Sequence, residues 1–216
     1  SSDFKIVYGE DKSVAATLYI MEPNEKGDLI EKESFPLKFE KELYLSWVPG
    51  NEKIVLGYKS QTDVTAPVSQ IAPIPQIILL DLTTKEQKTK KQKSLVQGEQ
   101  MNLNTKVSPD GKWLAYITIN FPGKAQNPIP LYQMDASRTC LISLQDNQKN
   151  CLAPTPNENP ELIGWKKDGK SVFVADQEGI SDQIYELNLE GTKALRFTQG
   201  EQSIQVARLN SAGDAI

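Results

Sequence analysis

The chain has 216 residues, 38% of them hydrophobic and 24% charged, which is typical of one soluble globular domain. Its 24 basic and 28 acidic residues give a net charge of −4, which argues against a nucleic-acid partner because phosphate binding needs a concentrated basic surface. No apolar stretch approaches the length of a membrane span, so we expect no membrane contact by this segment itself, and an anchor outside it stays open.

Three β-strands are predicted near the N-terminus. They are Phe4–Tyr8, Ala16–Met21 and a charged run near Leu29–Phe39, each rich in residues that favour strands or bounded by polar turns. They match the second, third and fourth strands of the unit that recurs later in the chain.

One short pattern then recurs at long intervals. It reads WVPGNEKIV from Trp47, VSPDGKWLA from Val107 and WKKDGKSVF from Trp165, and a fourth copy, LNSAGDAI, starts at Leu209. Such a repeat is typical of stacked supersecondary units. The plainest copy centres on Pro109–Lys112, a tight turn in which proline presets φ and glycine supplies a positive φ.

A second strand signal follows each of the first three turns, and a polar turn and a further short strand come after it. These signals are Ile77–Leu82, Cys140–Leu144 and Ile184–Leu189. Each unit is therefore predicted to be a four-stranded antiparallel meander, with strands A to D in chain order, which is the blade of an all-β propeller. Trp47 and Trp165, in strand A, are predicted to fill the core between blades.

The stretch SPDGKWLAY from Ser108, together with the later strand that ends Leu187–Leu189, resembles the blade repeat of TolB-like propellers. The same repeat occurs in the propeller domains of prolyl-oligopeptidase and dipeptidyl-peptidase enzymes. The resemblance implies a fold far more than a function, because propellers of this type serve unrelated roles. Two copies depart from the pattern, with Gly50-Asn51 in place of Asp-Gly and Lys167 in place of proline.

We expect a single propeller domain, or a fragment of one, over residues 1–216. Complete blades are predicted at about 42–98, 99–156 and 157–202, with pieces at 1–41 and 203–216. The C-terminal piece is expected to supply a strand A at Ser203–Leu209. The two pieces combine into one shared blade of a small closed ring, or the chain is part of a larger propeller.

Cys140 and Cys151 are predicted to lie opposite each other in one hairpin, at a spacing that a disulfide accepts. The alternative is two reduced thiols packed as small apolar residues. A disulfide implies an oxidising compartment, so a periplasmic or extracellular location is expected.

The chain contains no histidine, which removes Ser-His-Asp and Cys-His catalytic arrangements and the common zinc sites. The carboxylates of Asp135, Asp176, Glu178 and Asp182 are predicted near one rim, where solvated loop carboxylates are the plainer interpretation than a catalytic pair. We therefore expect no catalytic residues, no metal and no cofactor in this segment.

Long insertions between strands B and C of the first two complete blades, Ser60–Gln76 and Asn120–Arg138, contain proline-stiffened apolar motifs. The residues predicted to bind a partner are Ile71, Ile74, Pro75, Phe121, Ile129 and Tyr132. The alternative is that these loops pack on each other and cover blade edges.

Two functions follow from these expectations. In the first, the chain is a non-catalytic extracytoplasmic propeller that binds a protein or peptide, as the sensor or scaffold domain of a cell-envelope protein. In the second, it is the substrate-gating propeller of a prolyl-oligopeptidase-like serine peptidase whose hydrolase domain lies outside this chain.

Overall fold

The structure, a computed structural model, describes residues 4–8, 15–38, 40–50, 52–60, 74–83, 92–97, 101–119, 136–204 and 206–210. These ranges contain fifteen β-strands and no helix. The strands are β1 (Phe4–Tyr8), β2 (Ala15–Pro23), β3 (Leu29–Lys38), β4 (Glu40–Trp47), β5 (Lys53–Ser60), β6 (Ile74–Asp81), β7 (Gln92–Gln97), β8 (Met101–Val107), β9 (Trp113–Ile119), β10 (Ser137–Ser143), β11 (Lys149–Cys151), β12 (Glu161–Trp165), β13 (Ser171–Glu178), β14 (Ser181–Asn188) and β15 (Ala194–Arg196).

The strands form four antiparallel sheets, each a meander of sequential neighbours. Sheet I holds β1–β3, sheet II β4–β7, sheet III β8–β11 and sheet IV β12–β15. The prediction of four-stranded antiparallel units is confirmed for sheets II to IV. Their strands are called A to D in chain order, and the three strands of sheet I correspond to B, C and D.

The strand predicted at Ser203–Leu209 is wrong for the residues that can be described there. Residues 202–204 and 206–210 have no strand structure. A strand A needs the strand B of its own sheet beside it to bond its main-chain groups. Here the amide of Ile204 donates instead to the side chain of Asp182, at 2.8 Å.

Three apolar clusters lie between consecutive sheets, because residues of alternating strand positions face opposite neighbours. Leu18, Ile20, Phe35 and Leu37 of sheet I pack with Ile54, Leu56, Ile78 and Leu80 of sheet II. A second cluster joins sheets II and III around Val55, Ile77, Leu114 and Tyr116. A third joins sheets III and IV around Ile117, Leu141, Val172 and Val174.

The repeated A–B turns lie against one another from sheet to sheet. Gly111 has φ +71°, and a Cβ placed there would lie 3.2 Å from Cγ1 of Val48 in the preceding turn. Gly169 has φ +69° and would bring a Cβ to 3.9 Å from Cδ of Pro109. Both glycines adopt the left-handed backbone conformation, and at Gly111 the preceding turn also lies too close for a side chain to fit without a shift.

In each copy of the repeated sequence pattern, the residue at the end of strand A contacts the preceding sheet. The indole of Trp165, which is buried as predicted, donates a 2.8 Å hydrogen bond to the main-chain oxygen of Lys106. Leu209 holds the same place in its copy of the pattern as Trp165. Its Cδ1 lies 2.9 Å from where a Cβ of Gly164 would be, and Gly164 corresponds to Lys106.

Candidate functional site

The topology places one class of connection at one end of the sheets. Neighbouring strands of each meander run in opposite directions, so all B–C connections leave from the same end as the connections between consecutive sheets. The B–C connections of sheets I to IV are residues 9–14, 61–73, 120–136 and 179–180. We call this end the B–C rim, and the A–B and C–D turns form the opposite rim.

Most of the residues predicted to bind a partner fall outside the described part of the chain. These are Ile71, Phe121, Ile129 and Tyr132. Ile74 opens β6, and Pro75 follows it in the same strand opposite Lys59. Pro75 is buried, and the pairing of β6 with β7 starts one residue later, at Gln76. A partner surface made of these six residues stays a prediction.

Ile180 is an apolar residue of the B–C rim that the sequence analysis missed. Gly179 and Ile180 form the short turn between β13 and β14, where Glu178 pairs with Ser181. Gly179 has φ +63°, and the Ile180 side chain is 90% exposed. The signal was present in the sequence, because isoleucine in a tight turn contributes neither turn geometry nor core packing.

The predicted disulfide is present. Cys140 of β10 pairs directly with Cys151 of β11, with 3.9 Å between their Cα atoms. Cys140 is fully buried in the cluster between sheets II and III, and Cys151 packs against it. The bond closes the hairpin at the end where β10 leaves the B–C rim.

The chain that follows Cys151 crosses the rim and holds the start of β10 in place. The main-chain oxygen of Glu158 accepts a hydrogen bond from the amide of Ser137, at 2.6 Å. The Glu158 carboxylate lies 3.5 Å from the guanidinium of Arg138, and both side chains are largely buried. Glu158 has φ +53°, a strained conformation for a residue with a side chain that the surrounding contacts must maintain.

Asp176 fixes the same crossing segment from the side of sheet IV. Its buried carboxylate accepts main-chain hydrogen bonds from Asn157, Asn159 and Gln177, at 3.3, 3.4 and 2.8 Å. The amides on either side of Glu158 therefore bind one carboxylate. A carboxylate held by amide donors is suited to shaping a loop.

Of the four carboxylates predicted at the rim, the structure brings two to one cavity. Asp176 and Asp182 line a cavity of about 250 Å³, together with Asn159, Glu161, Ala175, Gln177 and Ile204. Asp135 lies outside the described residues. Within the described ranges, no group of three or more candidate ligands is placed to hold a metal ion.

The carboxylate of Glu178 does not line this cavity and interacts with other residues. Its carboxylate accepts a 2.8 Å hydrogen bond from the phenol of Tyr185 and lies 3.3 Å from the guanidinium of Arg196. Burial, reinforced by the bond to Glu178, raises the pKa of Tyr185 well above its ordinary value. Glu178 thus supports the hairpin below Ile180, and Asp182 bonds Ile204, so both carboxylates have structural partners.

No protein-family model matches the sequence. The chain is 24% identical to dipeptidyl-peptidase 5 of Porphyromonas gingivalis over 158 residues, which cover 72% of this chain and 21% of that protein. The chain therefore spans about a fifth of the length of this relative.

The fold is similar to that of several solved proteins. TolB from Acinetobacter baumannii matches with a TM-score of 0.60 at 16% identity, over 97% of this chain and 44% of that one. The acylaminoacyl peptidase of Pyrococcus horikoshii matches with a TM-score of 0.54 at 13% identity, over 92% of this chain and 30% of that one. A prolyl endopeptidase matches with a TM-score of 0.52 at 11% identity, over 93% and 30%. The predicted resemblance to TolB-like and prolyl-oligopeptidase-type propellers is confirmed. At sequence identities this low, the resemblance is one of fold.

Across the described ranges, there is no helix with the length and apolar character that a bilayer span requires.

Proposed function

We propose that the four sheets are blades of a β-propeller and that the chain is a non-catalytic module that binds a protein or peptide on its B–C rim. The observation that carries the proposal is the antiparallel strand order, which directs the B–C connections of all four sheets to that rim. The connection 61–73 contains Ile71, and 120–136 contains Phe121, Ile129 and Tyr132. The connection 179–180 exposes Ile180. Exposed apolar side chains gathered at one rim favour a contact with another molecule.

The described contacts below the rim support this function, because they keep its framework rigid. The disulfide, the Arg138–Glu158 pair and the amide bonds to Asp176 join the start of β10 to sheet IV. A surface that is ordered before binding loses less conformational entropy when the partner arrives.

We further propose an extracytoplasmic location, with the module acting as the sensor or scaffold domain of a cell-envelope protein. The disulfide between Cys140 and Cys151 supports an oxidising compartment, because structural disulfides are rare in the cytosol. The likeness to TolB adds support at the level of fold.

The rim is tested by replacing Ile74, Phe121 and Tyr132 with serine and comparing the partners that the immobilised chain captures from a cell-envelope extract. A second variant, Ile180→Ser, tests the described part of the same rim. The matched control replaces Leu29 and Ile30, which are exposed at the opposite rim beside the turn between β2 and β3, with serine.

We expect both rim variants to lose a partner that the native chain and the control retain, with unchanged thermal unfolding. Unfolding of the triple variant would show that these residues belong to the core. Retention of every partner by a folded triple variant would place the binding surface elsewhere.

A second function, the substrate-gating propeller of a serine peptidase, is favoured by one observation. The sequence relative is a dipeptidyl-peptidase, although the match covers only 21% of it. In this function the chain would admit peptides to a hydrolase domain and supply no nucleophile. Sequencing the gene on both sides of this region is the test, and a hydrolase domain with a nucleophile elbow would support gating.

A further inference from the structure

The repeated A–B turns border a cavity that the proposed function does not use. It lies where the strands A of sheets II, III and IV end, on the rim opposite the B–C connections, and has a volume of about 390 Å³. This volume falls within the range of about 300–1,000 Å³ that is typical of small-ligand sites. The described residues that line it belong to β4, β8 and β12 or to the turns after β4 and β8, so its shape depends on how three sheets stack.

Indole and proline rings line the cavity. Trp47 is half-buried, and Trp165 is largely buried. Pro49 and Pro109, at the same place in two copies of the repeated turn, are exposed beside them. Cδ of Pro49 lies 3.5 Å from where a Cβ of Gly111 would be, so the packing of one turn against the next holds this ring in place. Rings held in this way can bury apolar area on a ligand with little further loss of conformational entropy.

Lys106 supplies the charge of the cavity. Among the described residues that line it, Lys106 is the only one with an ionisable side chain. Val107, the next residue of β8, packs on the cluster between sheets II and III, so the Lys106 side chain projects toward sheet IV. Its ammonium forms no ion pair with a carboxylate of the described residues. A half-buried cation in these surroundings favours an anionic group on the molecule that occupies the cavity.

We propose that this cavity binds the C-terminal end of an extended peptide that contains proline and ends in an apolar residue. The Lys106 ammonium would bind the terminal carboxylate, because hydrogen bonds between charged groups are stronger than those between neutral groups. The rings of Trp47, Pro49 and Pro109 would pack on the apolar side chain and the proline rings, as aromatic-lined grooves do with polyproline segments.

Two observations favour a peptide terminus over other ligands. An internal segment of the same peptide has no carboxylate to place at Lys106. Pro49 and Pro109 come from two different turns, so the apolar surface extends across two sheets, which suits an extended chain better than a compact acid. The cavity and the B–C rim lie at opposite ends of the sheets, so this site does not depend on the partner proposed for that rim.

Tryptophan emission measures binding, because Trp47 and Trp165 line the cavity. The probe is N-acetyl-prolyl-prolyl-leucine, and its C-terminal amide is the matched control ligand. We expect the native chain to bind the free acid about tenfold more tightly than the amide, since the amide lacks the anion that pairs with Lys106. No binding of the acid at millimolar concentration, or equal binding of the two ligands, would overturn the proposal.

The variant Lys106→Met tests the assigned cation. Its main-chain oxygen keeps the bond from Trp165, and methionine preserves the apolar part of the side chain. We expect this variant to bind the acid about tenfold more weakly than the native chain does, and to bind acid and amide equally. Lys167→Met removes an exposed lysine of the next turn that does not line the cavity, and it should bind like the native chain, as should Ile180→Ser. A preference for the acid that persists in Lys106→Met would refute the role of Lys106.

Octanoate separates a peptide terminus from a free apolar acid of the same charge. We expect it to bind about tenfold more weakly than the peptide acid, because its flexible chain loses more conformational entropy on binding than a polyproline segment does. Octanoate that bound as tightly as the peptide and displaced it would show a site for small acids and would contradict the proposal. Circular dichroism confirms that each variant is folded before it is scored, and the comparison of acid with amide on the native chain needs no variant.

Discussion

The indole Nε1 of Trp165 lies 2.8 Å from the main-chain oxygen of Lys106, in the strand at the corresponding place of the preceding sheet. This bond joins β12 to β8 across a sheet boundary, beside the apolar packing of the cluster between sheets III and IV. It gives the stacking of sheets III and IV a directional component, because a hydrogen bond fixes position more narrowly than apolar contact.

Trp165→Phe should lower the free energy of unfolding by about 1–3 kcal/mol, because the Lys106 oxygen loses its donor and the cavity is only partly refilled. Urea denaturation followed by circular dichroism measures the change. Trp113→Phe is the matched control, since Trp113 is half-buried against the same cluster and its indole makes no hydrogen bond among the described residues. Equal losses in both variants would show that ring volume, and not the bond, matters.

Cys140 and Cys151 should yield no free thiol when the protein is denatured without reductant. Replacing both with serine should cost about 2–3 kcal/mol, because the unfolded chain regains the entropy of a short closed loop. Reduction of the native protein should reproduce the loss, while the serine variant should not respond to reductant. Two titratable thiols in protein from an oxidising compartment would contradict the prediction.

Gly111→Ala should destabilise the fold by more than Gly27→Ala does. Both glycines have positive φ, +71° and +86°, so both variants bear a backbone penalty of about 1–2 kcal/mol. Only at Gly111 would the new Cβ also meet a neighbour, Cγ1 of Val48 at 3.2 Å, whereas nothing lies within 4 Å at Gly27. The difference between the two unfolding free energies measures how tightly the repeated turns pack, and equal values would mean that Val48 yields without cost.

Stability should fall with acidification through the titration of Glu186. Hydrogen bonding from Ser171 at 2.6 Å and the ion pair with Lys166 at 2.9 Å hold the pKa of Glu186 below its ordinary value. A lowered folded-state pKa contributes stability above the unfolded value of about 4.3 and loses it as the pH falls through the folded value. Glu186→Gln should flatten the stability profile below about pH 4.3. Glu190→Gln, in the exposed turn that follows β14, should keep the native slope.

Sequence reasoning predicted the sheets because each one depends on local signals. The Pro109–Lys112 turn and the strands around it carry their own geometry, and the register of the β10–β11 hairpin followed from the spacing of Cys140 and Cys151. Strand formation at 203–209 failed as a prediction because it depends on a neighbouring strand B, which local pattern cannot supply.

The rim was predicted only in outline. Connection lengths indicated where apolar loops leave the sheets, but Glu158 and Asp176 gave no sequence signal for their roles. The first acts through a left-handed backbone and an ion pair with Arg138, and the second through amides contributed by the preceding sheet. Such roles arise from the approach of two segments in space, and no periodicity within either one records them.

The Asp176 bonds have a consequence for how this array can evolve. The carboxylate belongs to sheet IV, yet the loop that it shapes is the exit of sheet III. Suppose that a duplication copied sheet III alone. One of the two copies would then be followed by sheet IV and keep Asp176 beside its exit loop, and the exit loop of the other copy would lack this carboxylate. A copy of this loop that keeps its shape therefore also needs the strand β13 of the following sheet, because β13 carries Asp176.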